Sequence, residues 1–217
     1  LMAFSQVGEY IENISDISAM VPVVLAHLSH ENPKVRFAAL HCIGQISDDM
    51  TEDFQETYGA DVLPAMIKNL EDPVPRVSAH CCSAITNFMD GAKEDLVMPH
   101  FADLSAKLGK LMQDGISIQK ENSVTAFASS AVAIKEKFDQ YFGETLDLLL
   151  KCLDSNPQPA YKQYRAQLIE AITLISSAVS VPVFEGRADV IIQAMIFIQK
   201  SNLEENDPQR SYLLSAW

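Results

Sequence analysis

Residues 32–49, NPKVRFAALHCIGQISDD, return forty residues later in residues 72–90 as DPVPRVSAHCCSAITNFMD. Each stretch opens with an Asx residue and proline, runs as an apolar stripe and closes on acid. In the first, Val35, Ala38, Ala39, Cys42, Ile43 and Ile46 recur at three- and four-residue spacing. In the second the stripe is Val77, Cys81, Ala84, Ile85 and Phe88. That spacing predicts a helix buried along one side. A helix that repeats at a fixed interval with the same stripe buries it most simply against its neighbouring copies, as in a stacked array.

The rest of the chain keeps the interval. Pro33, Pro73, Gly115, Pro157 and Pro208 are separated by 40, 42, 42 and 51 residues, and each follows Asn or Asp (Asn32, Asp72, Asp114, Asn156, Asp207). An Asx side chain accepts a backbone N–H at a helix start, and proline is tolerated in a first turn. The dipeptide is therefore expected to end one helix and cap the next. The longer last interval contains an acidic loop, residues 204–207. Helix pairs spaced by about 40–47 residues are the HEAT pattern. We expect an all-α HEAT-repeat α-solenoid, a right-handed superhelix of antiparallel helix pairs. A partial repeat covers 1–13, and repeats follow at about 18–49, 54–90, 94–136, 139–179 and 187–217, the last incomplete. Within the second repeat, Phe54, Tyr58 and Gly59 are assigned to a linker, with a helix from Asp61 to Leu70 and Pro64 near its start. Leu1 and Trp217 both fall inside apparent helices, so the chain reads as a piece of a longer protein.

With 29 acidic against 16 basic residues the net charge is −13. Phosphate binding needs concentrated Lys and Arg, so nucleic acid is excluded as a direct partner and a basic protein partner is favoured. No apolar run reaches transmembrane length, and membrane insertion is not expected. Cysteines 42, 81, 82 and 152 form no CxxC and are read as small buried residues. The histidines at 27, 30, 41, 80 and 100 form no HExxH or other metal-ligand spacing. There is no GxGxxG, phosphate loop or GxSxG. No enzyme, metal or cofactor is expected.

The ends of the second helices are more informative. At about 100° per residue, Lys34, Phe37, His41, Gln45 and Asp48 share one flank, while Asp49 turns toward the apolar edge. Repeat offsets then give two ladders, Gln6/Gln45/Asn87/Ser129 and Glu9/Asp48/Asp90. Amides can bind the backbone of an extended peptide and carboxylates its Lys or Arg side chains. The same ladders would equally serve as the solvated face of any solenoid. Acids at helix C-termini oppose the helix dipole, so capping does not call for them there. Arg36 and Arg76, near the starts of successive second helices, are read as inter-repeat ties, with Lys162 and Arg165 as counterparts in the fifth pair.

The stretches NPKVRFAALHCIGQISDD, PRVSAHCCSAITNFMD and NDPQRSYLLSAW, together with LMAFSQVGEY, EKFDQYFGETLDLLLKCL and EAITLISSAV, resemble segments of importin-β-type karyopherins of the importin-five class. The likeness runs through essentially all 217 residues in order. It implies a central part of a nuclear import receptor that shuttles between cytoplasm and nucleus. Such a receptor binds lysine-containing localisation signals of cargo on a concave inner-helix face and releases them to GTP-bound Ran. Ran would bind mainly through repeats nearer the N-terminus, and FG nucleoporins are further implied partners. The resemblance assigns Glu9 and Asp49 to peptide lysines and Gln45 and Asn87 to peptide backbone, with His41 where an asparagine is usual and Asp48 and Asp90 close by. The sequence departs from the family on the fifth second helix, at Arg165 and Ala166. The alternative reading is a HEAT scaffold subunit of a phosphatase or another multiprotein complex.

Overall fold

The computed structural model describes residues 1–5, 10–11, 13–156, 161–201 and 203–217. Gln6, Glu9 and Pro157 lie outside them. Among the described residues the helices are α1 (Met2–Ser5), α2 (Val21–His27), α3 (Pro33–Asp49), α4 (Asp53–Asn69), α5 (Pro75–Asp90) and α6 (Glu94–Val97). There follow α7 (Phe101–Asp114), α8 (Ser117–Ala133), α9 (Asp139–Ser155), α10 (Lys162–Ala178), α11 (Val181–Glu185), α12 (Ala188–Lys200) and α13 (Pro208–Ala216). No strand occurs among the described residues, and no helix is long and apolar enough to cross a membrane. The helices divide into two compact units, Leu1–Ala133 and Ile134–Trp217.

In the first unit α2/α3, α4/α5 and α7/α8 are helix pairs, and the second helices α3, α5 and α8 pack on one another in chain order. Phe54, Phe88 and Phe101 are buried between the layers. The second helices come very close. A Cβ added at Gly44 would stand 3.1 Å from Ala84 Cα and 3.3 Å from its Cβ, so α3 and α5 nearly touch backbone to backbone there. In the second unit α9 packs on α10 and α10 on α13, around buried Phe138, Phe142 and Tyr164. There the Asp139 carboxylate accepts from both Ser180 N–H (2.9 Å) and Ser180 O–H (2.5 Å), fixing the start of α11.

The Asx turns do part of the work expected of them. Asn32 Oδ1 accepts from Lys34 N–H at 2.9 Å and Asp207 Oδ1 from Gln209 N–H at 2.9 Å, capping α3 and α13. Asp72 accepts from Val74 N–H at 2.9 Å and also fills the fork of Arg36 through two bonds of 2.6 and 2.9 Å. Arg36 donates further to the carbonyls of His30 and Glu31. Successive turns are thus clamped by a bidentate pair. Arg165 plays a similar part beside α13, donating to the carbonyls of Leu153 and Asn156 and to Gln209 Oε1. Two Asx positions differ. Asp114 ends α7 without capping α8, whose start is held by Gln119 Oε1 accepting from Ile116 N–H at 3.0 Å. Asn156 turns back and donates to Cys152 O at the end of α9.

The expected linker over Phe54–Gly59 is instead the first half of α4, which runs unbroken through Pro64. Phe54 and Gln55 are buried, and Gln55 Nε2 donates to Ser47 O and Phe88 O, pinning α4 to the ends of α3 and α5. Tertiary burial overrides a proline that would weaken an isolated helix. Between α6 and α7 a 3₁₀ turn over Met98–His100 contains Pro99.

All four cysteines are buried and free. Cys81 Sγ donates to Met66 O at 3.1 Å. Burial pushes the Cys42 thiol up to about 11, Cys82 to about 12, and Cys81 well above the ordinary range.

Gly44→Val should lower stability by about 1–3 kcal/mol, because a branched side chain has to push α5 away. Gly143→Ala, in α9 with nothing within 4 Å of the added Cβ, should raise it by about 0.5–1 kcal/mol. Urea denaturation of the two variants checks both signs.

Candidate functional site

The exposed side of α3 and α5 can be built from their helical periodicity and contacts. Residues 34, 37, 41, 45 and 48 fall along one side of α3, and 76, 80, 83, 87 and 90 along one side of α5. The buried residues Ala39, Ile43, Ile46, Val77, Cys81 and Ile85 lie away from it. The two sides form one face because their side chains meet. Asn87 Nδ2 donates to Gly44 O at 3.2 Å. One repeat on, Asn122 Nδ2 donates to Ala79 O and Ser83 Oγ, both at 3.0 Å, and Gln119 Nε2 donates to Ser78 Oγ at 2.8 Å. Asn87 and Asn122 thereby reach helix carbonyls that already accept an intrahelical bond, which the second lone pair allows.

The sequence-predicted residues divide into three groups. Asp48 and Asp90 are exposed at the C-terminal ends of neighbouring helices, on the shared face. Asp49 is half-buried and accepts from Gln45 Nε2 at 2.8 Å. Among the described residues no basic side chain pairs with any of these three carboxylates. Gln45 and Asn87, both half-buried, are the second group. Each spends an amide N–H within the protein, on Asp49 and on Gly44 O. Glu9 lies outside the described residues.

The third group is aromatic and was largely missed. His41, half-buried, stacks on His80 with ring centroids 5.4 Å apart, and His80 stacks on Phe37 at 4.0 Å and 17°. The Arg76 guanidinium carbon lies 5.4 Å from the Phe37 centroid. Arg76 therefore joins adjacent repeats through a ring, whereas Arg36 joins them through a carboxylate. The signal that could have found the stack is the offset: the 43 residues separating Gly44 from Asn87 also carry Phe37 onto His80 and Ala79 onto Asn122.

Burial first, then the neighbouring His41 and Arg76, lowers the His80 pKa from the ordinary 6.5 to about 4. Its Nε2 is buried with no hydrogen-bond partner among the described residues. The imidazole therefore behaves as a neutral ring in the stack.

Residues 20–50, which contain α2 and α3, match the HEAT repeat family. With the helix pairs above, that makes the class of protein an all-α HEAT-repeat α-solenoid. The relatives are specific. Importin subunit beta-3 of Saccharomyces cerevisiae is 30% identical over 220 residues, covering 100% of this chain and 20% of that protein. A probable importin-5 homolog of Dictyostelium discoideum is 29% identical over 136 residues, covering 63% of this chain and 13% of the relative. The crystal structure of Kap121p superimposes with a TM-score of 0.90 at 28% identity, over 99% of this chain and 20% of that one. The karyopherin Kap121p bound to the extreme C-terminus of the protein phosphatase Cdc14p gives 0.89 at 28% identity, again over 99% and 20%. The chain is a homologue of the importin-β-type karyopherins and spans about a fifth of the length of importin subunit beta-3.

The folded chain holds His80 below its unfolded pKa. Its contribution to stability is therefore complete above about pH 6.5 and is lost as the pH falls toward 4, where the unfolded chain takes up the proton more readily. Urea midpoints measured from pH 7 to pH 4 should fall more steeply for the wild type than for His80→Phe, which keeps a ring in the stack without a proton site. Parallel curves would show that His80 carries no such linkage.

Proposed function

We propose that the chain is a cargo-binding segment of a nuclear import receptor, and that the face shared by α3 and α5 holds an extended, lysine-containing peptide. The observation that carries this reading is the set of three carboxylates, Asp48, Asp49 and Asp90, at the ends of adjacent helices with no basic partner among the described residues. They stand in a chain that aligns from end to end with a karyopherin. Carboxylates at helix C-termini work against the dipole by about 0.3–1 kcal/mol each, so a binding role explains them better than a folding role. Gln45 and Asn87 are fixed through their amide nitrogens. On this reading their carbonyl oxygens accept from peptide N–H groups, while lysine ammonium groups pair with the carboxylates. By sequence offset alone Glu9 continues the acidic ladder by one repeat, and His41 lies on the same side of α3 as Asp48.

The structural relatives support a peptide as the occupant. One is Kap121p bound to a chain end, the extreme C-terminus of Cdc14p, and others are Kap121p bound to Nup53p and to the SUMO protease Ulp1p. On this reading the full receptor shuttles between cytoplasm and nucleus, contacts FG nucleoporins and releases cargo to GTP-bound Ran, mainly through other repeats. It carries cargo without chemistry of its own.

Calorimetric titration of the full receptor with a lysine signal peptide tests the face. Asp49→Lys should weaken binding by about 10-fold or more, since it removes a half-buried acceptor and strands the Gln45 amide. Asp48→Lys, at an exposed site, should cost only about 2- to 5-fold. Asp154→Lys, exposed near the end of α9, makes the same charge change elsewhere and should leave affinity within about 2-fold. An equal loss in all three would mean that net acidity alone attracts the peptide, and the assignment of the face would fall.

A further inference from the structure

The other end of the α3–α5 face carries the opposite sign. Arg76 is exposed and makes no ion pair among the described residues. It contrasts with Arg36, whose donors are taken up by Asp72, His30 and Glu31. Arg76 is nonetheless held in place, because its guanidinium carbon lies 5.4 Å from the Phe37 ring centroid and Phe37 is backed by His80 at 4.0 Å and then His41. Stacking uses the flat face of a guanidinium and leaves the N–H donors at its edge available, in a geometry that suits a carboxylate. The entropy of fixing a long side chain is spent on folding, so a ligand there gains a preset cation. Lys34, exposed in the first turn of α3, adds charge of the same sign.

The face is therefore bipolar. Phe37, which seats Arg76, and Asp48 are eleven residues apart on α3, about 16 Å along the helix axis. An extended peptide covers about that distance in five residues. We propose that this face selects peptides carrying both a lysine and an acidic side chain about five residues away, the lysine at Asp48 and Asp90 and the acid's carboxylate on Arg76. This rests on the reading of the face as a peptide groove and adds what the groove prefers. An acidic chain of net charge −13 repels a carboxylate in general, so a peptide that binds more tightly because it carries one identifies a specific cation.

The test is fluorescence anisotropy with the full receptor and three lysine peptides. One has Glu five residues before the lysine, one has Glu five residues after it, and one has Gln at both places. One Glu peptide should bind about 10-fold tighter than the Gln peptide, the order of a charge-assisted hydrogen bond. Arg76→Gln should erase that advantage, so that the Glu and Gln peptides bind the variant alike, and Arg76→Glu should turn it into a penalty. If both Glu peptides bind no better than the Gln peptide, while Asp49→Lys still weakens all three, the bipolar preference is wrong and the groove stands. If no peptide binds, or none responds to Asp49→Lys, the groove itself is wrong.

Discussion

The near contact of α3 with α5 at Gly44 and Ala84 sets the terms for the first unit. Once two helix backbones come that close, the carbonyl of Gly44 is within reach of a side chain on the next helix, and Asn87 takes it. Asn122 repeats the move on Ala79. Small residues bring the helices together, and amides then fix how far one slides along the other. A larger residue at position 44 would cost more than packing, because it would lift Asn87 off its acceptor and disturb the register of everything on the shared face. At the opposite end of these helices the Arg36–Asp72 clamp holds the turns. The face is therefore located by two kinds of constraint, apolar contact in its middle and a charged fork at its edge.

Within the face, polar groups are divided between structure and solvent. The amide nitrogens of Gln45, Asn87 and Asn122 are used internally, whereas Asp48 and Asp90 meet no cation among the described residues. A buried polar group left unpaired is costly, but an exposed carboxylate is not, so the fold tolerates the acids without stabilising them. What remains exposed is a surface whose two ends differ in charge and in character, aromatic and cationic at one, acidic at the other.

Periodicity made α3 and α5 legible before any coordinates, because a one-sided apolar stripe at 3.6-residue spacing has few other solutions. Pro64 hid the first half of α4, since the interactions that carry a helix through proline, such as Gln55 on Ser47 and Phe88, join residues far apart in sequence. The Asx rule held at Asn32 and Asp207, where the side chain is free to cap, and failed at Asp114, where Gln119 took over that duty. The acidic ladder could be read from repeat offsets, and the structure separates its two adjacent acids: Asp48 points to solvent while Asp49 is drawn back to Gln45. The ring stack was not legible in this way. Phe37 and His80 lie on different helices, and only the close approach of those helices brings the rings to 4.0 Å.

The buried cysteines have a use unrelated to any partner. Cys42, Cys81 and Cys82 lie on α3 and α5 in the first unit and Cys152 on α9 in the second, and none is exposed. A buried thiol meets no alkylating reagent until water reaches it, and burial also holds Cys42, Cys81 and Cys82 above the ordinary thiol pKa. Their rate of alkylation therefore records how often the surrounding helices part. The protein carries its own strain gauge, with sensors in both units, and pulling or bending it by any means could be read by mass spectrometry without adding a label.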